Sequence, residues 1–219
     1  MRTPLLLLLL CAVLHVHAGP VRELGLFRKY NTTAALFDQT VSPGILTNGV
    51  GVFLKTTVDN AAARAEQQGR SAQSIATMRG RWLEWAVLVA LKESKLVPAY
   101  WQAEFVSVPK NYNDVMLWCK EHGPVILSCK TSLRERYKQA DLEAVALRQH
   151  YPQALFFIVT LDPDKRHVAN VRKKIATKEL LALHAIYDET NADELFALLR
   201  KLTLTEPPPG TLRSATTVR

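Results

Sequence analysis

Residues 154–161 read Ala-Leu-Phe-Phe-Ile-Val-Thr-Leu, a continuous apolar run without polar alternation. Such a run marks a strand buried on both faces. A chain carrying it must cover a sheet from two sides, and the flanking segments supply the cover. Between residues 71 and 93, Met78, Trp82, Trp85 and Val89 fall on one face of a helix, and Leu83, Val87, Ala90 and Leu91 make much of the rest apolar. This spacing predicts a central helix buried on more than one side. Three β-prone segments follow, at 103–108, 114–118 and 125–130, the last two joined through Lys120-Glu121-His122-Gly123. They read as an antiparallel meander. Ser132, with Glu135 three residues later, has the form of a capping box opening a helix lined by Leu133, Tyr137, Ala140, Ala144 and Leu147. After the apolar run come a basic stretch at 165–174, a short strand at 185–188 and an amphipathic helix over 191–202. The order α-β-β-β-α-β predicts an α/β sandwich with a central mixed sheet flanked by helices.

The ends read differently. Arg2, the apolar stretch 5–14 and the small residues before Gly19 fit a signal peptide over residues 1–18. The expectation is an exported or secreted protein with no stable membrane association after cleavage. An organellar or intracellular location is the alternative if the apparent signal is a misassigned start. Residues 19–70 form an N-terminal helical and irregular extension, with a turn at 42–44, glycines at 49 and 51, and an Ala-rich helix over 58–68 ended by Gly69. Residues 71–205 make the main domain. Pro207-Pro208-Pro209-Gly210 opens a polar tail, 206–219, expected to be disordered.

At 48% apolar and 22% charged, the 219-residue chain is globular, which excludes collagen-like, mucin-like and coiled-coil readings. The formal charge of +8 favours polyanionic partners, nucleic acid first and anionic membrane second. Outside the signal only Cys119 and Cys129 remain, too few for a disulfide framework, and both lie in apolar runs. No CxxC or Cys/His cluster suggests structural zinc. Asn31-Thr32-Thr33 is a glycosylation sequon that matters only after export by a eukaryote.

The stretch 114–130 carries the chemistry. On strands that alternate faces, Ser128 and Lys130 point the same way, and Asp114, Met116 and Trp118 share a face of the neighbouring strand. Pairing through the turn brings Asp114 towards Ser128 and Lys130. A carboxylate and an ammonium at the end of apolar strands must be paired or used.

A helix with Glu, a strand with Asp, and a strand ending in x-x-Lys before a helix resembles the PD-(D/E)XK nuclease superfamily, in the Ser-x-Lys variant known among restriction endonucleases. The resemblance covers roughly residues 71–202 and implies a restriction endonuclease-like sandwich hydrolysing phosphodiester bonds, with DNA as partner and Mg²⁺ or Mn²⁺ as cofactor. It implies that Asp114 holds the metal, with Glu84 on the preceding helix and the Cys129 carbonyl as further ligands. Lys130 would orient the attacking water or stabilise the developing charge. Gln139 stands where several members place a polar residue. Asn113 replaces the Pro of the motif, and Ser128 replaces its second acid. Glu143, on the following helix, is then the candidate to supply a carboxylate. Arg134, Arg136 and Lys138 would track phosphates, and a homodimer is compatible with the family. The rival reading, motivated by Ser128, is a catalytically inactive nucleic-acid-binding or interaction module on the same fold.

Overall fold

The computed structural model describes residues 19–26, 31–41 and 46–219. The expected signal over 1–18 and the turn at 42–44 lie outside these. In chain order the elements are α1 (Pro20–Glu23), α2 (Thr32–Asp38), α3 (Val50–Gln67), α4 (Ala72–Glu93), β1 (Ala99–Phe105), β2 (Tyr112–Cys119) and β3 (Gly123–Lys130). Then come α5 (Arg136–Arg148), β4 (Leu155–Thr160), α6 (Lys165–Ala176), β5 (Ala185–Tyr187), α7 (Ala192–Leu199) and β6 (Leu212–Val218). Among the described residues, six strands form one mixed sheet in the order β5-β4-β3-β2-β1-β6. β1, β2 and β3 are the antiparallel meander, and β4 and β5 continue it in parallel.

Strand alternation divides the interior into two layers. Val115, Leu117, Val125, Leu127, Phe157 and Val159 join the buried faces of α3, α4 and α7. Met116, Trp118, Ile126, Phe156 and Ile158 join those of α5 and α6. β4 is thus buried on both sides, as its apolar run requires. Residues 82–91 of α4 are all buried, so this helix is central to its layer. Both cysteines are free buried thiols. Among the described residues no helix is long and apolar enough to cross a membrane.

Four boundaries differ from the sequence reading. The helix expected over 58–68 begins at Val50 and contains Gly51. Glycine is needed there because a Cβ would meet the Glu189 carbonyl oxygen at 1.9 Å. Asp193 accepts the Val50 amide at 2.9 Å and so caps the new start. The strand expected at 103–108 lies at Ala99–Phe105, in register with β2. The Ser132–Glu135 capping box does not form, and α5 starts at Arg136. Its approach is taken over by Asp162, which accepts the Leu133 amide at 2.5 Å, while Arg134 turns the chain at φ 29°. Glu135 pairs with Lys138 instead. Finally, the tail expected to be disordered forms β6, antiparallel to β1. An unpaired edge of β1 supplies it with a template that low local hydrophobicity concealed.

Candidate active site

The candidate site lies where the sheet splits. The β2–β3 ladder runs from Cys119↔Gly123 to Val115↔Leu127 and ends there. β3 nevertheless continues to pair with β4 as far as Lys130↔Thr160, and β2 with β1 as far as Tyr112↔Glu104. The two middle strands therefore diverge, with Asp114 on one arm and Ser128, Cys129 and Lys130 on the other.

Asp114 bridges the opening. Its Oδ2 accepts the Cys129 amide at 2.8 Å, in place of a backbone carbonyl, and the Lys130 ammonium at 2.9 Å. The side chains are 16% and 7% exposed, so the ion pair is largely withdrawn from water and its geometry is held by both bonds. Lys130 is fixed from the far side too. Its carbonyl accepts the Thr160 hydroxyl at 2.7 Å and the Leu161 amide at 3.2 Å. Ser128 is buried on the same face of β3. Cys129 alternates to the other face, where burial, with Asp114 and Glu84 adding to it, pushes its thiol well above the usual range. A buried thiol held in its protonated form is a poor nucleophile.

Glu84 approaches from α4, 9% exposed. Its Oε2 accepts from the Trp101 indole at 2.7 Å, the Gln102 amide at 2.9 Å and the Arg81 guanidinium at 3.3 Å. Burial pushes its carboxyl up to about 7, the nearby Asp114 charge adds to this, and the three donors oppose it. Glu84, Trp101 and Arg136 line a cleft of about 680 Å³, together with Arg81 and the N-terminal residues Leu26 and Thr33. A second cleft of about 900 Å³ is lined by Thr131, Arg134, Lys165 and His167 among others.

Glu143 sits on α5, half-buried, and accepts the Gln139 amide at 2.8 Å. Burial raises its pKa; the Lys130 charge lowers it and the Asp114 charge raises it, so the carboxylate lies within electrostatic range of both. Arg134, Arg136 and Lys138 are exposed at the start of α5. The structure thus joins Asp114 to Lys130 directly, sets Glu84 within reach of the Asp114 charge and Glu143 within reach of both, and attaches Gln139 to Glu143. Among the described residues no three His, Cys, Asp or Glu side chains cluster closely enough to hold a metal by themselves.

Arg81 was legible as the partner of Glu84 from its place one helical turn earlier. Trp101, Gln102 and Asp162 were not. The first two lie just before the β-prone segment read at 103–108 and carried no signal of their own, and Asp162 looks like any acid in an Asp-Pro-Asp turn.

No family model matches the chain, and neither does any curated protein. Among solved structures, the chain is similar to the restriction endonuclease PspGI in its complex with substrate DNA, at a TM-score of 0.51 and 10% identity. The match covers 86% of this chain and 98% of that one. The mixed six-stranded sheet flanked by helices is a restriction endonuclease-like α/β fold.

Proposed function

We propose that this protein is a metal-dependent nuclease that hydrolyses phosphodiester bonds of DNA. The observation that carries the reading is the Asp114–Lys130 contact of 2.9 Å at the fork of the sheet, with a further carboxylate on either side, Glu84 from α4 and Glu143 from α5. DNA as substrate is supported by the net charge of +8, by exposed Arg134 and Arg136 beside the two clefts, and by the likeness to an endonuclease solved on DNA.

The donor set fits Mg²⁺ or Mn²⁺. It is made of oxygens, as hard cations require, and Mg²⁺ is commonly held by one or two carboxylates completed by substrate phosphate rather than by a closed protein cage. Asp114 would hold the ion, with Glu84 or Glu143 as second acid and the Cys129 carbonyl beside them. A bound ion would polarise the phosphoryl oxygen and lower the pKa of the attacking water. The chain's own contribution is Lys130. Its ammonium, held by Asp114 and by the β3–β4 ladder, is preorganised to meet charge that develops on the phosphate, and so costs no reorganisation during the reaction.

The test is cleavage of plasmid and single-stranded DNA with Mg²⁺, Mn²⁺ or EDTA, beside Asp114→Ala and Lys130→Ala. Cutting that needs the metal, disappears in Asp114→Ala and falls roughly 100- to 1000-fold in Lys130→Ala is the expected result. Full activity in Lys130→Ala would refute the mechanism. The second reading, a binding module that has lost catalysis, is favoured by one feature: Ser128, buried at 2% exposure, stands where the motif has an acid. It calls for salt-sensitive DNA binding by a folded protein that cuts with neither ion.

A further inference from the structure

The β1–β6 ladder shifts register twice, between Trp101 and Glu104 and between Glu104 and Phe105, and the first shift concerns Glu84. Against β6, Trp101 pairs with Thr216 and Glu104 with Ser214, so β1 spends one more residue than its neighbour over this interval. Gln102, within it, sits at φ 50°, in the left-handed region that residues with a side chain rarely adopt. This is a β-bulge. In a regular strand the side chains of residues 101 and 102 would leave on opposite faces. Here both donate to the same atom, Oε2 of Glu84, at 2.7 and 2.9 Å. Arg81 adds a third bond to that oxygen, with its guanidinium carbon 4.9 Å from the Trp101 ring centroid.

A buried acid needs donors for its own sake. Two features exceed that need. All three donors converge on one oxygen, and none among the described residues reaches Oε1. The carboxylate also borders an open cleft rather than sealed core.

The geometry points to Trp101 and Gln102 as positioning residues of the candidate metal site, with the bulge as the device that turns both onto Glu84. By saturating Oε2 they fix the carboxylate so that it offers a divalent cation a single oxygen, Oε1. This rests on the reading of Glu84 as a metal-holding acid.

The test uses the full chain and Mn²⁺ itself, with binding followed by electron paramagnetic resonance in the presence and absence of a short DNA duplex. Trp101→Phe keeps the ring beneath Arg81 and removes the indole donor. Gln102→Gly keeps the left-handed backbone and removes the amide, so it remains informative if the first variant fails to fold. The expected result is Mn²⁺ affinity weakened roughly 10- to 100-fold in the variants, as for other residues that orient metal ligands. The Mn²⁺ concentration for half-maximal cleavage should rise in step, while KM for DNA stays constant. Wild-type Mn²⁺ affinity in both variants would overturn the assignment. So would wild-type affinity in Glu84→Gln alongside lost binding in Asp114→Asn, an outcome that leaves the metal site itself standing. If the unsubstituted chain binds no Mn²⁺ under either condition, the metal-site reading and this assignment fall together.

Discussion

A glutamate that titrates near 7 leaves a signature in folding as well as in chemistry. Glu84 has an ordinary value of 4.5 when unfolded and about 7 when folded, because burial and the Asp114 charge disfavour its ionised form. Between these values the folded state holds a proton that the unfolded state has released. Stability is therefore greatest below 4.5 with respect to this group, declines as pH rises through the window, and is fully reduced above about 7. For the EDTA-treated protein, the decline should be on the order of 2–3 kcal/mol between pH 5 and 8. Urea unfolding of Glu84→Gln at the same two pH values should show this component removed. An identical pH slope in variant and wild type would place the raised pKa elsewhere. At this scale Asp114 and Lys130 were readable because alternation and one short turn govern their meeting. The clamp on Glu84 was not, since its bulge is defined against a strand over a hundred residues away along the chain.

Single elements show where local signals mislead. Gly49 and Gly51 look like helix breakers, yet α3 starts between them. An alanine inside a helix ordinarily stabilises relative to glycine. Gly51→Ala should instead destabilise by roughly 1–3 kcal/mol in urea unfolding, because the added carbon meets backbone at Glu189 that has no rotamer with which to retreat. A neutral or stabilising result would mean that α3 can draw back from Glu189 at little cost. Asp193→Ala should cost about 0.5–2 kcal/mol by freeing the Val50 amide, a cap supplied from 143 residues away and invisible to any reading of residues 46–50. The failed capping box at Ser132 has the converse cause. Its residues are competent, but Arg134 takes a non-helical φ of 29° between them and Glu135 turns to Lys138, while Asp162 holds the Leu133 amide in the connection that leads from Lys130 into α5. The order α-β-β-β-α-β from α4 to β4 survived these errors because each of those elements has an apolar period that spans many residues, whereas a boundary depends on one or two; the basic stretch at 165–174 was not read as the helix α6 that it forms.

For the whole molecule, the C-terminal segment is the part that sequence concealed. Ending the chain after Thr205 would unpair β1 and delete Glu206, which bonds Tyr100 and Arg219, and Arg213, which faces Glu104. The truncated protein should show a lower Tm and more light scattering on warming, since an exposed sheet edge recruits other edges. It should also bind Mn²⁺ more weakly, because the bulge at Gln102 loses the strand that defines it. An unchanged Tm would show that β6 is an ornament on a sheet complete without it. The fork between β2 and β3 has a different consequence. Asp114 and Lys130 belong to strands joined by a hairpin, and a slip of one residue would send the carboxylate to the opposite face. Their contact therefore favours the native register of the hairpin over its neighbours. A copy folded in the wrong register would leave the Lys130 ammonium buried at the fork without its carboxylate, a cost that sets such a copy apart from the native one.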